Sequence, residues 1–134
     1  MYEQKIRKTM KDAGFPDWLM GFEDLVAVVN IATTCEMPHG MYHKYIIPRA
    51  AKIRKRAPAT LERSMRSVCK WAYTYQKERV ESVLGEIPVK PDREQAAPVL
   101  TGVIHRLREK VMEESEVEEN GNERKEERAG LLSC

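Results

Sequence analysis

Strand signals are almost missing from this sequence. No sustained alternation of Val, Ile and Thr appears, and no Asn-Gly turn joins two such runs, which argues against a sheet or barrel. Aromatics make up only 7% of the residues while methionine occurs seven times, a balance that suits a helical core. No apolar run approaches the roughly 20 residues needed to span a bilayer. The opening stretch MYEQKIRKTMKDAGF has no apolar signal region, so the expected location is cytoplasmic and off the membrane. The cysteines, Cys35, Cys69 and Cys134, are odd in number and form no C-x-x-C pair. Reduced thiols are therefore expected, with Cys69 as a small core residue.

Catalytic signatures are missing too. There is no phosphate-cradling glycine loop, nucleophile elbow or pair of carboxylates at catalytic spacing, and Ser64 and Ser67 have no His and acid arranged around them. An enzyme is not expected, nor a cofactor. Cys35, His39 and His43 are spaced four apart, as zinc ligands on one helical face would be, but Pro38 and Gly40 interrupt that face. No metal site is expected from that spacing.

What is present is charge, strongly segregated. The net charge is only +2, yet residues 41–80 hold eleven Lys and Arg against two acids, a net of +9. Residues 109–128 hold nine Glu against four Lys and Arg, a net of −5. A basic block of that size is the footprint of a phosphate-backbone binder.

A chain of 134 residues fits one domain. The periodicity predicts a helix over 2–13 closed by Gly14, then a largely apolar helix over 17–33 carrying Trp18, Leu19, Phe22, Leu25, Val26, Val29 and Ile31. A break follows at 34–40, then a short helical approach over 41–47 with Tyr42, Tyr45 and Ile46 turned inward. Pro48 suits the first turn of the next helix. There Ala50, Ala51 and Ile53 are expected to face the core, with Arg49, Lys52, Lys55 and Arg56 in solvent.

Ala57-Pro58 makes a turn into a helix reaching about Glu78. At 100° per residue Leu61, Met65, Val68, Cys69 and Ala72 share one arc, while Arg63, Arg66, Lys70, Tyr73 and Lys77 gather opposite, with Glu62 at the edge. Two helices joined by a tight turn, the second oily behind and basic in front, match the plan of a helix-turn-helix. Residues 79–84 form a short helical piece, 86–91 an extended connector, and Asp92 caps a last helix through about Met112. The expected architecture is all-α, a compact bundle of about six helices over residues 1–112, followed by an acidic stretch over 113–134 that is frayed helix or disordered tail.

Several of these residues together resemble a known family. Gly14-Phe15-Pro16, the helix opening Gly21-Phe22-Glu23-Asp24-Leu25, Gly40, Pro48 with Ala51 and Lys52, and then Leu61-Glu62-Arg63-Ser64-Met65-Arg66 stand in register. Trp71, Leu84-Gly85 and Lys90-Pro91 come after them. Over about residues 3–111 the pattern resembles the C-terminal DNA-binding effector domain of the sporulation response regulators of the stage 0 sporulation protein A family.

The resemblance implies an all-helical domain with a helix-turn-helix, acting as a transcription regulator on double-stranded DNA. It implies base contacts by Glu62, Arg63 and Arg66 in a short TGTCGAA-like box, and tandem boxes bound by a head-to-tail pair. Arginine is the bidentate partner of guanine, and a carboxylate accepts from cytosine N4. Lys52, Lys55, Arg56 and Lys70 would then hold phosphates. Ser67 stands where that family has a His, and Arg49 and Arg54 replace an acidic and an aromatic residue. The sequence carries no receiver ahead of the domain, so phosphorylation control is not expected. The competing reading is a protein-docking or decoy module that grips another regulator through its basic face. RNA ranks lower, because few aromatics interleave with the basic residues.

Overall fold

In a computed structural model, residues 2–35, 42–90 and 97–119 are described. The described residues form an all-α bundle of six helices. They are α1 (Glu3–Asp12), α2 (Met20–Thr34), α3 (Ile47–Arg54), α4 (Pro58–Tyr75), α5 (Lys77–Leu84) and α6 (Leu100–Glu119), with a π-helical turn Tyr42–Ile46 leading into α3. A minimal antiparallel ladder, Val89–Lys90 against Ala97–Pro98, closes the connector between α5 and α6. No helix among the described residues is long and apolar enough to cross a membrane.

α2 is the axle. Phe22, Leu25, Val26, Val28, Val29, Ile31 and Ala32 are all buried, so nearly its whole circumference needs cover, and α1, α3, α4 and α6 supply it. Ile6 and Met10 of α1, Leu61, Met65 and Val68 of α4, and Val103, Ile104, Leu107 and Val111 of α6 complete one core. Each such side chain contributes about 1.5–3 kcal/mol when fully withdrawn from water. The α1 terminus shows how locally the chain punctuates itself. Gly14 at φ 90° lets its N–H reach the Lys11 carbonyl while Phe15 N–H reaches that of Met10, a Schellman closure. Arg79 adds hydrogen bonds to the carbonyls of Asp12 and Lys11.

Several expectations need correction. α2 starts at Met20, not Asp17, and Trp18 is 68% exposed. Leu19 caps the helix in an extended conformation, which throws the preceding Trp onto the surface. Tyr45 and Ile53 are exposed rather than packed: the π-helical turn buries Tyr42 and Ile46, and the short α3 buries Ile47, Ala50 and Ala51 alone. Tyr73 lies in the core instead of on the basic front, and burial raises its phenol pKa.

α4 ends at Tyr75, where Gln76 leaves helical geometry and α5 starts afresh. α6 begins at Leu100, after Ala97–Pro98 has paired as a strand; Asp92 lies outside the described residues. α6 also runs past Met112 to Glu119, so of the two alternatives for this stretch residues 113–119 take the helical one. Ser115 is buried there against α1, accepting a hydrogen bond from Lys5 at 3.1 Å, and Thr9 donates to Glu114 at 3.3 Å. Polar contacts hold what the apolar content alone would release. Cys35 is disulfide-bonded, against the reduced-thiol expectation: cysteine count and spacing do not report which thiols a fold brings together. Cys69 is a free buried thiol, its pKa pushed up to about 12 by burial, so it stays protonated at neutral pH.

Candidate nucleic-acid interface

α3 stops without glycine. Lys55 takes the left-handed conformation at φ 57°, its N–H bonding the Lys52 carbonyl and that of Arg56 the Ala51 carbonyl. A non-glycine residue there costs roughly 1–2 kcal/mol, so something must hold the turn. Asp24 does. Its carboxylate, fully buried on α2, accepts from Arg54 Nε at 2.9 Å and from Arg56 Nη1, and Arg56 Nη2 goes on to Ser64 Oγ on α4 at 2.9 Å. One buried acid thereby ties α2, the end of α3, the turn and the first turns of α4 together. Gly21 lies one helical turn earlier on α2. A Cβ at that position would stand 2.1 Å from the Ser64 carbonyl oxygen and 2.6 Å from Val68 Cγ2, so backbone meets backbone where only glycine fits.

Held this way, α4 buries Leu61, Met65, Val68, Cys69 and Ala72 and turns Arg63, Arg66, Ser67, Lys70 and Thr74 to solvent. The front is thus a stripe of long cations separated by short hydroxyl side chains. Ser67 and Thr74 donate to the carbonyls of Arg63 and Lys70, which keeps them low on the helix surface. Glu62 sits at the edge, half-buried, and accepts from Arg66 Nη2 at 2.5 Å. The same carboxylate oxygen lies 3.4 Å from His43 Nδ1 on the π-helical turn. Glu62 therefore holds Arg66 in place as well as facing outward.

Of the anticipated contact residues, Arg63, Arg66 and Lys70 share the stripe, Glu62 borders it, and Lys52 and Lys55 are exposed on α3 and its turn. Arg56 is the exception. The sequence places it in solvent as a phosphate contact, but its guanidinium is turned inward onto Asp24 and Ser64, because a buried carboxylate must be paired. Gly40 and His39 lie outside the described residues, and among the described residues no group of three potential ligands could hold a metal.

Beside the stripe lies an aromatic cluster that the helical pattern alone does not announce. Trp71 and Tyr75, four apart on α4, are 5.0 Å centroid to centroid, and Trp18 meets Trp71 edge-on at 5.1 Å. Trp18 and Tyr75 are largely exposed, as is Met20. The i, i+4 spacing of Trp71 and Tyr75 is the available signal; Trp18 joins from a loop far away in sequence. No family model, curated protein or solved structure matches the chain. The family resemblance therefore rests on the motif residues alone.

Proposed function

We propose that this protein binds double-stranded DNA sequence-specifically, as a transcription regulator of the sporulation-effector type, with α4 in the major groove. The supporting observation is the division of α4. Its back is locked to α2 through Gly21 and Asp24, while its front presents Arg63, Arg66 and Lys70 to solvent within a segment of net charge +9. A major groove admits one helix whose side chains reach base edges. Arg63 and Arg66 have the length and fork for guanine O6 and N7. Glu62 orients Arg66 and stands where it can accept from cytosine N4. Lys52, Lys55 and Lys70 flank the stripe as phosphate contacts. Arg56 positions the reading helix and touches no phosphate. Binding as a head-to-tail pair on tandem boxes belongs to the same proposal.

The test is fluorescence anisotropy with a duplex carrying tandem TGTCGAA-like boxes against a scrambled duplex, across a salt series. Expected is a preference for the boxes that survives rising salt and collapses in Arg63→Ala. Equal affinity for both duplexes would reduce the protein to a charge-driven binder. No binding at low salt would instead favour the docking-module reading.

A further inference from the structure

Both tryptophans of the chain meet in one place, at the border of the cationic front. The cluster is not buried: Trp18 is 68% and Tyr75 66% exposed. Trp71 stands between them, in contact with each, so the outer two rings are fixed by the inner one while keeping free surface. On the helix, Trp71 follows Lys70 directly, and Ser67 and Thr74 lie between this aromatic edge and the arginines.

An intact duplex offers a side chain only base edges, because its base faces are stacked on one another. Preset aromatic rings next to a row of cations answer a different ligand. An unpaired strand exposes base faces for stacking and a regular line of phosphates for the cations.

We propose that Trp18, Trp71 and Tyr75 form a stacking ledge for single-stranded nucleic acid, whose phosphates run along Arg63, Arg66 and Lys70. The ledge shares the cationic stripe with the proposed duplex site but none of its base-reading chemistry. Charge selects the occupant: the stripe's exposed ionic groups are all cationic, Glu62 at its rim is engaged by Arg66, and the surrounding segment is strongly basic. The bases stack on Trp18 and Tyr75, and Trp71 holds those rings apart.

The placement of both tryptophans supplies the readout, since all indole emission of the full chain arises in the ledge. Titration with an unlabelled oligothymidylate of about 12 nucleotides should quench that emission saturably, whereas an equally long duplex should leave it unchanged. In anisotropy with labelled oligothymidylate, Trp18→Ala and Tyr75→Ala should each weaken binding about tenfold, the scale of one lost base stack. Both should keep duplex affinity within about twofold. Arg66→Ala should weaken both ligands. Both aromatic side chains are surface-exposed, so these variants should melt with the parent by circular dichroism. Strand binding with unchanged emission, equal quenching by the duplex, or parental strand affinity in both aromatic variants would overturn the proposal, as would no strand binding at low salt. Failure of box preference with quenching intact would leave the ledge standing and remove only the duplex proposal.

Discussion

Two pairs of arginines stand close together in the chain and lead opposite lives. Arg54 and Arg56 are turned inward onto Asp24, whereas Arg63 and Arg66 are turned outward on α4. The side-chain chemistry is identical, and both pairs lie in the same basic segment. What differs is the turn between them and a single buried acid on another helix. The inward pair neutralises a carboxylate with no access to water and so fixes where α4 begins. The outward pair keeps its charge in solvent, where the proposed function uses it. The basic stretch thus mixes arginines that hold the fold with arginines left in solvent, and only the fold separates them.

The largest effect that tests this division comes from Asp24→Ala. It would strand two guanidinium groups beside a hole lined by α2, a situation that costs about 3–5 kcal/mol and should be read as a large fall in the urea midpoint. A cost under about 1 kcal/mol would mean the inward pair finds solvent without penalty, and the contrast would dissolve. Gly21→Ala attacks the same joint by volume rather than charge. With backbone oxygen only 2.1 Å from the added carbon, α2 and α4 must part, at about 1–3 kcal/mol or more.

The outward pair should behave in the opposite manner. Arg63→Ala and Arg66→Ala remove exposed side chains, so stability should stay within about 0.5 kcal/mol. On the proposed function, each should cost about 1–3 kcal/mol in box binding while relaxing discrimination. Arg56→Ala should do the reverse, lowering stability first. If Arg66→Ala destabilised the fold as much as Arg56→Ala, the sorting of the four arginines would be wrong.

Much of the fold is legible in the sequence because helical periodicity is local. The buried arc Leu61, Met65, Val68, Cys69, Ala72 of α4 lies where the spacing puts it, and Pro58 opens the helix. The errors fall where a partner distant in sequence decides. Arg56 and Asp24 are separated by 32 positions, and nothing in the local sequence marks Arg56 as different from Arg49. The turn before Pro58 is legible from Ala57-Pro58, but not the left-handed residue in it, because Lys55 stands where glycine is the usual signal. Trp18 reads as core by its apolarity, but the cap at Leu19 sets its direction. The acidic end of α6 reads as frayed helix or tail, since its hold on α1 is polar. Of the site, the α4 stripe is legible; the clamp behind it and the aromatics beside it are not.

The smallest expected effect comes from the same chemistry placed half in solvent. Arg7 and Glu23 join α1 to α2 through hydrogen bonds of 2.8 and 3.0 Å, with side chains 37% and 40% exposed. The hydrogen bond from Arg7 lowers the Glu23 pKa, and the opposite charge adds to it. A depressed carboxylate contributes stability that is present above the unfolded value of about 4.3 and is lost as pH falls through the folded value. Solvent screening keeps the sum small, at about 0.2–1 kcal/mol. Glu23→Gln should therefore lower the melting temperature slightly at pH 7, and parent and variant should converge as pH falls below the unfolded value and through the lowered folded one. A loss on the Asp24→Ala scale would show that an arginine–carboxylate pair needs no burial to matter here, and burial is what the contrast between the two arginine pairs rests on.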